Sequence, residues 1–309
     1  MAVTFPILSP LFYYLPIMKN ARLSVALCAL FLAFGVHSSE GQALYSSQES
    51  LNRVWSNPAE TGFQTIGGLR LNTRLQRFSG VPGVPYQSYW VTNENQINEW
   101  FNTGISFYYD LDGLALNRFQ FGVPLAIDFG EEFHWSVGAT PYGHLSYYGT
   151  DPGGPPIDTP GGFPAENEWI WNFGAHFGAA MEYRGLHAGV SFFNAVHTEK
   201  DFTEYDVSRV YVSYRFEIQE DLDLEPVVTF RLNEQSNAND FGAHLWIRDA
   251  MLIGAHWRSA ELDGQNWLIL QVGYAAINQF EFYTSFDFDM GVTYPGFTAE
   301  VGLQYSFND

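Results

Sequence analysis

The chain has 309 residues, 46% hydrophobic and 17% aromatic, with one cysteine and a formal net charge of −20. So much apolar and aromatic content excludes an acidic disordered chain, and the charge argues against nucleic acid or another polyanion as partner. After the first forty residues no stretch approaches the roughly 20 uninterrupted apolar residues of a membrane helix.

The N-terminal residues read as an export signal. Residues 1–17 are apolar but broken by Pro6, Pro10 and Pro16, which makes Met18 the expected true start. From there Lys19 and Arg22 form a positive region, residues 23–36 an apolar stretch and residues 39–43 a small-residue cleavage zone. That is the pattern of a secretory signal peptide, and we assign residues 1–42 to the signal region. Cys28 follows Leu27 inside the apolar stretch, too early for a lipoprotein anchor, and the exported chain has no thiol or disulfide chemistry. Residues 43–64 show no strand pattern and are a candidate plug. Residues 65–309 are predicted to form an antiparallel up-and-down transmembrane β-barrel.

The barrel expectation comes from alternation along the chain. In "GGLRLNTRLQ", Leu69, Leu71 and Leu75 alternate with Arg70, Asn72, Arg74 and Gln76. Successive strand side chains point to opposite faces, so such a segment has one apolar and one polar face. Further strands follow at 86–92, 101–111, 114–129, 133–147, 169–183, 186–192, 207–218, 222–232, 241–247, 251–258, 267–275, 280–289 and 297–307, fourteen in all. Residues 149–167, dense in proline and glycine, read as a long loop. Connections after even-numbered strands are mostly minimal, whereas those after odd-numbered strands include the 149–167 and 194–206 loops. Two depart from the rule: "NENQINE" reads long and "DLDG" short. Short turns at one rim and long loops at the other is the outer-membrane arrangement.

Sandwiched sheets also alternate, but their strands cross over in Greek keys, and neighbouring hairpins throughout make a meander. The chain also closes on "GFTAEVGLQYSF", ending Tyr305, Ser306, Phe307, as outer-membrane barrels often do.

If the polar parity faces a lumen, it carries Arg70, Arg74, Arg118, Arg209 and Arg215 with many carboxylates. The simplest reading is an ion-paired interior, because an arginine facing mid-membrane lipid costs roughly 2–4 kcal/mol. The sharper reading makes these five arginines a binding surface for a polypeptide. Six histidines (His134, His144, His176, His187, His244 and His256) share the polar parity but are spread over different strands of the wall, so no metal is expected. His144 with Ser146 or Ser136 lacks the context of a hydrolase, and no Gly-x-Ser-x-Gly element occurs. No cofactor and no enzymatic activity are expected. Asn57-Pro58 is read most simply as a turn that aims the chain into the first strand.

A second line comes from "VWSNPAETG" followed by "RLNTRLQRFSGVPGVPYQSY". Asn57, Pro58, Ala59 and Gly62, then Arg70, Arg74, Gln76-Arg77 and Gly83-Val84-Pro85, resemble the opening of the PorP/SprF family of type IX secretion membrane proteins. The blocks "DLDGLALNRFQFGVPLAI" and "FHWSVGATPYGHLSYYG" and the closing strand are similar to its later blocks. The chain departs from the family in "LYSSQES", in Glu60-Thr61 and in lacking Ser-His before the closing glutamate. The resemblance implies an outer-membrane barrel that works with other type IX secretion components to export or anchor a secreted surface protein or adhesin. The rival reading is a passive, porin-like channel.

Overall fold

The computed structural model describes residues 46–63, 67–78, 86–112, 116–148, 168–198, 207–233, 237–260, 266–277, 279–290 and 296–307. The predicted signal region and most of the two longest predicted loops lie outside the described residues. The strand segments in chain order are β1 (Gly67–Phe78), β2 (Tyr86–Asn98), β3 (Phe101–Asp112), β4 (Leu116–Gly122), β5 (Leu125–Phe129), β6 (His134–Tyr148), β7 (Glu168–Tyr183) and β8 (Leu186–His197). They continue with β9 (Val207–Tyr214), β10 (Phe216–Gln219), β11 (Leu222–Asn233), β12 (Ala238–Ile247), β13 (Met251–Ala260), β14 (Asn266–Ile277), β15 (Phe280–Asp289) and β16 (Gly296–Ser306).

Each strand pairs antiparallel with its neighbours in sequence, and β16 pairs with β1 from Gly68 opposite Ser306 to Phe78 opposite Gly296, which closes the sheet. Two strands are broken in the middle. β4 and β5 are one strand interrupted at Val123-Pro124, where proline has no N–H for the ladder. The gap is bridged by Val123 N–H to Pro141 O at 3.0 Å and Gly104 N–H to Pro124 O at 2.9 Å. β9 and β10 are interrupted at Arg215, whose N–H donates to Gly185 O at 2.8 Å. The sixteen segments thus make a closed barrel of fourteen antiparallel strands.

The two faces invert the pattern of a water-soluble protein. On β14 and β16, Leu270, Val272, Val301 and Leu303 point outward and are 37–48% exposed. Gln271, Glu300 and Gln304 on the same strands are buried. The bare outward face is apolar and aromatic around the wall, and only hydrocarbon covers such a surface without penalty. A cation there is the direct test. Val272→Arg, mid-strand on β14, is expected to lower stability by about 2–4 kcal/mol, measured by denaturant titration of the barrel refolded in liposomes; an unchanged midpoint would place that face in water.

One rim carries only tight connections. Arg184 and Gly185 both have positive φ (49° and 83°), as a two-residue hairpin turn with matching twist requires. Asp221 (64°), Arg248 (55°) and Asp249 (52°) do the same work at neighbouring turns. The "NENQINE" segment, read from sequence as a long loop, is strand as far as Asn98. Only Glu99 and Trp100 turn the chain, with Asn98 Oδ1 accepting from Trp100 N–H at 3.0 Å and Phe101 N–H at 2.9 Å. The misreading has a physical cause: below the apolar band the outward positions Asn93 and Asn95 are polar, so alternation fades although pairing continues. With that correction this rim, which also carries Gly67 and Ser306, has short turns throughout.

Candidate functional site

The lumen is occupied by residues 46–63. They run from the long-loop half of the barrel, where Ser46 meets Arg258 near the end of β13, to the short-turn rim. There Phe63 stacks on His134, the first residue of β6, with ring centroids 4.1 Å apart. Two short helical elements shape the segment: α1 (Arg53–Ser56) and a 3₁₀ turn over Pro58–Glu60.

The Asn-Pro-Ala-x-x-Gly element is its anchor. Proline holds Asn57 extended (φ −150°) and itself opens the 3₁₀ turn, while Asn57 Oδ1 caps the turn by accepting from Ala59 N–H at 3.0 Å. The same side chain donates from Nδ2 to Ala179 O at 3.0 Å and to Tyr211 OH at 3.1 Å. Beneath the turn lie Gly138 and Gly178, directly opposite each other on β6 and β7. A Cβ on Gly138 would sit 2.5 Å from Ala59 N, and one on Gly178 would overlap Asn57 Oδ1. Glu60 meets His187 Nε2 at 2.8 Å and accepts from Tyr211 OH, and Gly62, at φ +70°, donates its N–H to Glu94 Oε2 at 2.9 Å. Read from sequence as a turn aiming the chain into β1, Asn57-Pro58 is also a docking element against the wall.

Charges fasten the rest. Glu49 reaches Arg231 at 2.7 Å and also pairs with Arg209, while Asp240 bridges Arg231 and Arg258 at 2.8 Å each. Arg53 donates to Glu225 at 3.0 Å and Ser213 at 3.2 Å, and contacts His187. Glu300 accepts from Ser46 Oγ at 2.5 Å and Ser47 N–H at 2.7 Å, and Gln48 Nε2 donates to Glu300 O at 3.0 Å. These groups are buried, where an unpaired charge is costly.

The five arginines singled out from sequence do not form one cluster. Arg70 pairs with Glu94 at 2.6 Å and donates to Leu51 O at 3.3 Å; Arg209 holds Glu49 and Ser56 O. Arg215 sits at the short-turn rim between Asp223 (2.8 Å) and Asp249. Arg74 and Arg118 lie on the long-loop half, half-buried, and the Nε of each has no hydrogen-bond partner among the described residues. Sequence reasoning missed Glu49, Arg53 and Glu60. Their only signal is three charges in a segment without strand periodicity, and what they pair with is set by the wall.

His144 Nε2 lies 2.8 Å from Ser146 Oγ on the same strand, and its cross-strand neighbours are the amides Gln120 and Asn172. His244 and His256 approach at 2.9 Å beside Gln271 and Ser50. Among the described residues no group of three His, Cys, Asp or Glu is arranged to hold a metal ion. Beneath the segment, at the short-turn rim, a cavity of about 520 Å³ is lined by Arg53, Arg70, Glu182, Arg215, Trp246 and Tyr283 among others.

A family model described as type IX secretion system membrane protein PorP/SprF matches residues 38–305. Among solved structures the chain is similar to CymD, a monoaromatic hydrocarbon channel, with a TM-score of 0.52 and 12% identity over 87% of this chain and 95% of that one. It is similar also to the P. putida toluene transporter TodX, with a TM-score of 0.54 and 8% identity over 89% and 97% of the two chains. The Ralstonia pickettii toluene transporter TbuX gives 0.52 and 12% over 82% and 93%. Likeness at such identities is one of fold. No curated protein matches the chain.

Proposed function

We propose that this chain, which belongs to the PorP/SprF family of type IX secretion system membrane proteins, takes part in export or surface anchoring of a secreted protein as a lumen-plugged barrel rather than as an open pore. Its place is the outer membrane, and its family and fold are those of a membrane barrel, not of an enzyme class. The observation that carries the proposal is the segment 46–63, joined to the lumen wall by the buried pairs Glu49–Arg231 and Arg53–Glu225 and by the docked Asn57 turn. A passive channel for small solutes needs free water along its axis, whereas a secretion partner needs a barrel that holds the membrane closed and presents surfaces to other proteins.

The Asn57, Pro58, Ala59 and Gly62 element sets the plug, and the lumenal arginines that are not spent on it are left for the partner. Deletion of the gene, followed by comparison of surface-exposed and periplasmic proteins by mass spectrometry, tests the role. One or a few type IX cargo proteins are expected to vanish from the surface and accumulate in the periplasm. An unchanged surface proteome would remove the secretion role and favour the porin-like reading.

A further inference from the structure

Eight of the ten described arginines with described side chains have a carboxylate partner: Arg53, Arg70, Arg184, Arg209, Arg215, Arg231, Arg248 and Arg258. Arg74 and Arg118 have none among the described residues. Each faces an acid across the ladder, Arg74 opposite Glu300 and Arg118 opposite Asp110, yet neither pair comes within ion-pair distance. Those acids are engaged elsewhere. Glu300 accepts from Ser46 and Ser47 of the plug, and Asp110 accepts from Ser88 Oγ at 2.6 Å.

The two arginines belong to one rung of the wall. The ladder runs Arg74, Ser88, Asp110, Arg118 across β1, β2, β3 and β4. The next rung toward the short-turn rim carries Trp90 and Tyr108 as direct neighbours, with ring centroids 5.5 Å apart. Both guanidiniums lie within electrostatic reach of the Tyr108 phenol, and Arg74 also of Glu300. Trp90 and Tyr108 are each only 2% exposed; among the described residues the Trp90 Nε1 has no hydrogen-bond partner, and the Tyr108 OH has only the neighbouring Ser88, whose own hydroxyl is given to Asp110. Trp55 of the plug lies against both, 6.4 Å from Trp90 and 5.2 Å from Tyr108, and is half-buried.

We propose that Arg74 and Arg118, with the Tyr108 hydroxyl and Trp90 Nε1, form a carboxylate-binding site on the long-loop side of the plug, and that it takes an acidic residue or terminal carboxylate of an extended polypeptide whose apolar neighbour rests on Trp55. Buried donors left without acceptors are costly, and a planar carboxylate accepting from two guanidiniums satisfies them together. The aromatic floor supplies contact area for a neighbouring side chain, which a free small anion does not use. Arg118 is the third residue of β4, beside the loop at the outer rim, so the site faces the cell exterior. It rests on the secretion reading only for its biological partner.

The test uses the full barrel in lipid nanodiscs and two dye-labelled hexapeptides, Gly-Phe-Glu-Phe-Gly-Ser and its Gln counterpart, followed by fluorescence anisotropy. The wild-type barrel is expected to bind the Glu peptide about tenfold more tightly. A chain of net charge −20 disfavours that preference everywhere else, so it reports a specific site. Arg74→Gln with Arg118→Gln is expected to abolish the preference, and Arg248→Gln, at an exposed turn on the opposite rim, to keep it. Should the double variant not fold, Tyr108→Phe is expected to weaken the preference about threefold by removing one donor. Equal affinity for the two peptides would overturn the proposal. So would full displacement of the Glu peptide by acetate at the same concentration, since the site would then hold a free carboxylate only. A barrel that prefers the Glu peptide in a strain with an unchanged surface proteome would keep the site and lose the secretion role.

Discussion

Gly178→Leu is expected to turn a closed barrel into a conducting one. Gly178 and its cross-strand partner Gly138 form the floor on which the Pro58–Glu60 turn rests, and a Cβ at 178 would overlap Asn57 Oδ1 and stand 3.2 Å from Pro58 Cδ. A leucine leaves the turn no room at its present height. Lifting it breaks the Asn57 bonds to Ala179 O and Tyr211 OH and draws Glu60 away from His187 and Tyr211. Losing three or four buried bonds of about 1 kcal/mol each shifts the balance of docked and undocked plug by roughly 10²-fold or more. The readout is the fraction of time open in planar bilayers. Gly143→Ala on β6 is the control, because a Cβ there meets only the Phe173 ring at an ordinary 3.4 Å on the outward face. A Gly178→Leu barrel as silent as the parent would mean that the turn does not hold the lumen closed.

Glu49→Gln is expected to cost about 3 kcal/mol of barrel stability, the lower end of what breaking a buried pair by removing one partner costs. Glu49 is the plug's only carboxylate between Arg209 and Arg231. Without its charge Arg231 keeps Asp240, and Arg209 loses a charged partner while keeping the Ser56 carbonyl and the face of Phe193. The loss is thus chiefly the weaker compensation of two buried guanidiniums. Glu49→Gln with Arg209→Met is expected to recover part of the stability, because a buried cation that lost the Glu49 charge is removed with it. Thermal unfolding in detergent, followed by the gel shift between folded and unfolded barrel, separates the cases. Equal losses in single and double variants would mean that Glu49 acts by shape and not by charge.

Much of the barrel is legible in the chain because a membrane wall imposes a local rule. Every second residue must suit hydrocarbon, and from Leu69 to Phe307 the alternation marks each strand without knowledge of its neighbours. The strand count also follows from the sequence, as does the tight rim, read from turns such as Arg184-Gly185. Legibility ended where the rule lapsed. At Asn93 to Ile97 the outward face has left the apolar band, and polar strand looks like loop. At Val123-Pro124 and Arg215 apolar alternation continues across a break that only the hydrogen-bond ladder reveals.

The lumen obeys no such local rule. That residues 43–64 lack strand periodicity was visible, and so were the Asn57, Pro58, Ala59 and Gly62 residues and the wall arginines. Which partner each group finds was not. Glu49 meets Arg231 from 182 residues away, and Ser47 meets Glu300 from 253. Those separations are brought together only when β16 closes on β1. Gly138 and Gly178 look in sequence like weak points in two strands, and only the docked turn shows why a side chain there would not fit. By itself the sequence determined the barrel and its two faces, because those depend on the solvent that each residue meets. Tertiary structure alone decided what fills the barrel and which two arginines find no carboxylate among the described residues, because that depends on which side chains meet across a closed wall.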